Sequence, residues 1–139
     1  MDIIEGHENE TKTLEICAEL LHKEPELAGL YISTVNCLPV CRALQGAGRA
    51  GKVRVVATDL FTEVVPYFRN RTISASIYQR PYRQGQLAVR LLVDHFIAGA
   101  ELPTVRYLNP AIVMRSNLKL FREVARSRPD RENETLGGA

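Results

Sequence analysis

No apolar run in this sequence approaches the length needed to cross a membrane, so no membrane partner is expected. The first residues, Met1-Asp2-Ile3-Ile4-Glu5, lack the basic and apolar regions of a secretion signal. Tryptophan is absent, and aromatic residues reach only 6%. The three cysteines, Cys17, Cys37 and Cys41, form no Cys-x-x-Cys pair and read as reduced packing residues of a cytoplasmic protein. His7, His22 and His95 are scattered with no recurring ligand spacing, so neither a metal nor a cofactor is expected. Eighteen basic residues against sixteen acidic ones leave a formal charge of +2, which points to no polyanionic partner.

Enzyme signatures are missing as well. No Gly-x-Gly-x-x-Gly follows a strand, since Gly46-Ala47-Gly48 comes after a helical segment and reads as its stop. There is no Walker lysine and no Gly-x-Ser-x-Gly elbow. Glu15 and Glu19 sit four apart on the polar side of a helix, a hydrated face rather than an acid/base pair. Asp59 at a strand end has the placement of a receiver's phospho-acceptor, but no lysine follows Ile77 late in the sheet and the acidic cluster is weak. A non-catalytic module is expected.

What is present is a rhythm. Short β-branched runs alternate with helical periods every 20 to 30 residues or so, as in βαβ units. Ile3-Ile4 is a candidate first strand. Leu14, Cys17, Ala18 and Leu21 fall at i, i+3, i+4 and i+7, a helix that Pro25 ends. Leu30-Tyr31-Ile32 reads as a strand; Cys37, Val40, Cys41 and Leu44 then repeat the helical spacing, with Pro39 tolerable in the first turn. Val53 to Ala57 is the clearest strand. Thr62 reads as the N-cap of a short helix through Val64, Val65 and Phe68. Ile73 to Tyr78 is another strand, and Arg80-Pro81 opens a long helix closed by Gly99. One last strand is expected between Val105 and Met114, with Pro110 marking an edge. Ser116 and Asn117 could cap a helical turn through Val124 and Ala125, before a polar tail. The fold class is α/β, a mostly parallel sheet with helices on both faces.

In such sheets ligands bind beyond the carboxyl ends of the strands. Those positions hold Ser33, Thr34 and Asn36, then Thr58, Asp59 and Phe61, then Gln79 and Arg80. One carboxylate, two side-chain amides and several hydroxyls suit a neutral, hydroxyl-rich ligand, with Phe61 available to cover the apolar face of a sugar ring. Each residue also has a plainer reading. Asp59 or Asn36 could cap the helix that follows, Gln79 could be a solvated loop residue before Pro81, and Tyr31 and Tyr78 could be sheet-face residues.

The order of blocks is familiar. Gly29-Leu30-Tyr31-Ile32-Ser33-Thr34 with Asn36, Cys41-Arg42-Ala43-Leu44, Val55-Val56-Ala57-Thr58-Asp59, and Ile73 through Pro81 with Gln84-Gly85 resemble the effector domains of LacI-type transcriptional regulators. The related bacterial sugar-binding proteins of transport systems share the pattern. The resemblance covers roughly residues 3 to 117. It implies one lobe of a two-lobed, type-1 periplasmic-binding-protein fold, with Asn36, Asp59 and Gln79 contacting the ligand and Ser33 or Thr34 as substitutes for Asn36. It also implies a sugar or polyol effector, a homodimer, and contact with DNA only through a headpiece absent from this chain.

Set against that family, residues 1–117 are expected to be the C-terminal part of the ligand-binding domain, with the crossover between lobes near Gln79; residues 118–139 are expected to be an extra turn and tail. The chain is then a fragment without the headpiece, the first lobe, or the first strand and helix of the second lobe. In the resembled fold the helix from Tyr82 to Ala98 packs on that first lobe, so here a second copy is expected to cover it. The competing readings are a solute-binding protein of a sugar transporter, acting outside the cytoplasm, and a small α/β sugar-phosphate enzyme.

Overall fold

The computed structural model describes residues 3–5, 9–34 and 36–121. Helix α1 (Glu10–Lys23) starts because the Asn9 side chain accepts a hydrogen bond from the Lys12 N–H at 2.9 Å. Glu10 in its first turn and His22 and Lys23 in its last complement the helix dipole. Strand β1 (Gly29–Tyr31) follows, then α2 (Cys37–Gly46), which carries Pro39 in its first turn, where no intrahelical N–H bond is lost. Strand β2 (Arg54–Thr58) leads through a 3₁₀ turn at Thr62–Val64 into α3 (Val65–Arg69). Strand β3 (Ile73–Tyr78), the long α4 (Pro81–Ala98), strand β4 (Ala111–Val113) and a 3₁₀ turn at Leu118–Phe121 complete the described chain.

The sheet order is β1-β2-β3-β4. The first three strands are parallel, and β4 runs antiparallel beside β3, with Tyr78 opposite Ala111. This is the mostly parallel α/β sheet that the rhythm of the sequence predicts. The core is built where the periodicities meet. Cys17 and Leu21 of α1, Cys37, Val40, Cys41 and Leu44 of α2, and Phe68 of α3 join Val55, Ala57 and Ile73 of the sheet. Phe68, Leu44, Val55 and Val113 are fully enclosed.

Helix α4 is the exception. None of its eighteen residues is buried, and none belongs to the core cluster. Phe96 and Ile97 are 78% and 81% exposed. Gly99 ends the helix at φ +66°, a conformation nearly free of cost only for glycine.

Four local expectations are corrected. Ile3 and Ile4 form no strand; both are exposed, and an extended pair without a ladder partner has nothing to hold it. The last strand shrinks to Ala111–Val113 because Pro110 brings no N–H to the ladder. Phe61, not Thr62, occupies the N-cap position of the turn after β2. After Asn117 the chain makes a 3₁₀ turn rather than an α-helix, and Val124 and Ala125 lie outside the described residues.

All three thiols are buried. Burial pushes the Cys37 thiol up to about 11, a backbone hydrogen bond offsetting part of the effect. Burial, with the neighbouring Cys37 and Cys17 thiols, pushes Cys41 up to about 12, and burial raises Cys17 as well. The thiols therefore stay protonated and are expected to resist an aromatic disulfide reagent at pH 8, reacting only once denaturant is added. Because the folded state holds these protons more tightly, stability is full below pH 9 and declines as pH rises toward 11 to 12. Denaturant titrations at pH 8 and pH 10.5 check the sign. A flat profile would mean that the thiols are open to water.

Candidate ligand-binding site

The parallel strands β1, β2 and β3 bring their carboxyl ends to one edge, and each loop leaving that edge carries polar groups. Asp59 follows β2 with φ +65°, in the left-handed region that Asp and Asn tolerate better than most residues. Its conformation is held from three sides. The Asp59 N–H donates to the Ile77 carbonyl at 3.0 Å, and its own carbonyl accepts from the Ser76 hydroxyl. Its carboxylate Oδ1 accepts from the Gln79 N–H at 3.0 Å, so two of the expected site residues are in direct contact. Asp59 is not a helix cap.

Gln79 is exposed and ends the run of β3. Its carbonyl accepts from Gln84 Nε2 at 2.8 Å, while its own side-chain amide makes no hydrogen bond among the described residues. One strand over, Asn36 occupies the N-cap position of α2 but makes no side-chain capping bond. The Asn36 N–H instead donates to the Thr34 hydroxyl at 3.2 Å, so Thr34 is spent on the turn and the Asn36 amide is left uncommitted. Ser33 is exposed at the same edge. Phe61 is half-buried and packs partly against the core. The edge thus carries Ser33, Asn36, Asp59, Phe61 and Gln79, and among the described residues a hydrogen bond joins Asp59 to Gln79.

Sequence reasoning missed the groups that hold this edge in place. Thr58 is buried and donates to the Ile32 carbonyl at 2.8 Å, tying the end of β2 to that of β1. Ser76 is fully buried and donates to the Asp59 carbonyl, but it shares its strand face with Ser74 and Tyr78, so the sequence pattern of β3 does not single it out. Thr58→Val keeps the shape but leaves the Ile32 carbonyl unpaired, and is expected to cost about 1 kcal/mol in a urea melt. A loss below a few tenths of that would show that water replaces the bond.

An open parallel sheet with its polar loops gathered at one edge is the architecture of a ligand-binding lobe. Residues 1–101 match the periplasmic binding protein domain family, and the chain belongs to that family. It is 28% identical over 93 residues to the D-allose-binding periplasmic protein of Escherichia coli, covering 66% of this chain and 30% of that protein. An ABC transporter solute-binding protein from Agrobacterium vitis, solved with α-D-tagatopyranose, superimposes with a TM-score of 0.83 at 21% identity over 92% of this chain and 44% of that one. A protein from Bacteroides fragilis assigned as a LacI transcriptional regulator gives a TM-score of 0.66 at 20% identity, covering 78% of this chain and 37% of the other. The chain therefore spans less than half the length of each of these relatives.

Proposed function

We propose that this chain is one lobe of a non-catalytic sugar-binding protein, and that its ligand is held by Asp59, Gln79 and Asn36. The carrying observation is the hydrogen bond from the Gln79 backbone N–H to the Asp59 carboxylate at the carboxyl edge of the sheet, which joins the two loops that carry a carboxylate and an uncommitted side-chain amide. A carboxylate accepts from two adjacent hydroxyls, and an amide donates and accepts at once, so the pair matches a vicinal diol. Ser33 adds a hydroxyl, and Phe61 an aromatic surface.

The relatives weight the biological setting toward the solute-binding component of a sugar importer, since sugar-binding transport proteins make up most of the similar structures. That revises the regulator expected from the resemblance. The regulator remains a second reading, favoured by one specific observation: three buried, unpaired thiols, which suit a reducing compartment. In that reading the protein is a cytoplasmic homodimer that reaches DNA through a separate headpiece. The test is a thermal-shift screen of aldoses, ketoses and polyols on the full-length protein, followed by calorimetry. Micromolar binding of at least one sugar is expected, and a panel without a single hit would refute the proposal. A secretion signal or a helix-turn-helix in the full-length reading frame separates the two settings.

A further inference from the structure

Beside Gln79 lies a cleft of about 210 Å³, lined by Arg80, Arg83, Tyr107, Leu108 and Asn109. We propose that this cleft is an anion subsite continuous with the sugar-binding edge, so that the sugar taken there carries a phosphate or carboxylate group. The inference rests on the sugar-binding reading above and narrows its ligand class.

Four of the five lining residues, Arg80, Arg83, Tyr107 and Asn109, carry side-chain donors, Leu108 is the fifth, and no acidic residue lines the cleft. Three of the other described arginines find acceptors, Arg42 with Glu10, Arg90 with Asp94 and Arg49 with the Leu27 carbonyl, while Arg54, Arg69, Arg71, Arg106 and Arg115 do not. Arg80 and Arg83 make no side-chain hydrogen bond or ion pair among the described residues. Arg80 is half-buried and Arg83 exposed. Arg80 is the N-cap residue of α4 and Arg83 lies in the first turn, so two positive charges border the opening of the helix. Arginine forks match the paired oxygens of a phosphate or carboxylate.

Size and place agree. Pockets that enclose a whole drug-sized ligand run to about 300 Å³ or more, so this cleft fits a charged substituent rather than a complete ligand. Tyr78 lies opposite Ala111 in the β3–β4 pair, which puts Arg80 and Asn109 together just past the carboxyl end of β3, the edge that carries Asp59 and Gln79. The sugar's hydroxyls would meet Asp59 and its anionic group the arginines, which keeps the anion away from the carboxylate.

The cleft lies wholly within this chain, so the 139-residue protein can be tested directly by ¹⁵N NMR at low salt, titrated with inorganic phosphate, D-gluconate, D-glucose and D-glucose 6-phosphate. Inorganic phosphate is expected to bind in the millimolar range and to shift Arg80, Arg83, Tyr107 and the Asn109 side-chain amide. The R80Q/R83Q double variant should weaken that binding at least tenfold, while R83K, which keeps the charge, retains part of it. D-glucose 6-phosphate should bind at least tenfold more tightly than phosphate and add shifts at Asp59 and Gln79. D-gluconate in its place decides between phosphate and carboxylate. If the anions leave the cleft resonances unmoved, or move them equally in R80Q/R83Q, the anion subsite is refuted, and shifts at Asp59 from D-glucose alone would still uphold the sugar reading. Phosphate binding without any gain from the sugar moiety refutes the continuity of the two sites and counts against the sugar reading instead.

Discussion

At micromolar concentration the 139-residue chain is expected to run above its monomer mass in light scattering, and L92E/F96E to return it to a monomer. The reason is α4. Tyr82, Val89, Leu92, Val93, Phe96 and Ile97 are all exposed on a helix from which no residue reaches the core. Burying one such side chain is worth roughly 1.5 to 3 kcal/mol, so covering several gains on the order of 10 kcal/mol. Association costs about 4 to 15 kcal/mol in lost freedom and side-chain ordering, so the gain exceeds the cost when the exposed face is covered on both copies at once. A second copy is the expected cover, because α1, α2 and α3 already fill the core beside the sheet. A monomer whose Leu92 and Phe96 amides are protected from exchange would show that α4 folds back in solution instead.

Asp59→Asn in the full-length protein is expected to weaken sugar binding by about 2 kcal/mol, roughly thirtyfold, with little change in melting temperature. Asparagine keeps an oxygen that can accept from the Gln79 N–H, and it tolerates the positive φ that Asp59 adopts. What it loses is the charge that strengthens bonds from ligand hydroxyls. Asp59→Ala should lose the same affinity and also about 1 kcal/mol or more of stability, because alanine in the left-handed region is strained and the Gln79 amide loses its acceptor. Calorimetry beside thermal melting separates the effects. Wild-type affinity in D59N would remove Asp59 from the binding role.

The elements with strong periodicity were legible in the sequence. β3 falls on Ile73–Tyr78 as read, and α4 begins at Pro81 and stops before Gly99, because proline and glycine fix those boundaries through backbone geometry alone. What sequence could not supply was pairing. Ile3-Ile4 has the composition of a strand but no ladder neighbour among the described residues, and the segment before Pro110 has β formers but stays irregular. The candidate site was legible by position, since a parallel sheet sends every strand's exit to the same edge. The Asp59–Gln79 bond was not, because it joins a side chain to a backbone N–H twenty positions away. Thr58 and Ser76 escaped notice for a related reason: nothing local distinguishes a structural hydroxyl from a solvated one.

The junction at Gln79 divides the chain into two parts that differ in how easily they open. On one side lies β3, hydrogen-bonded to both neighbours and closed over by the core; on the other, α4 has only its own ladder and a few exposed side-chain bonds. Amide exchange should therefore be slow through Ile77 and Tyr78 and fast within one turn past Pro81. A ligand that engages Gln79 grips the last residue of the slow part, while Gln84, on the first turn of the fast part, holds the carbonyl of that same residue. Occupancy at the edge would then register as lengthened exchange lifetimes in a helix that the ligand need not touch.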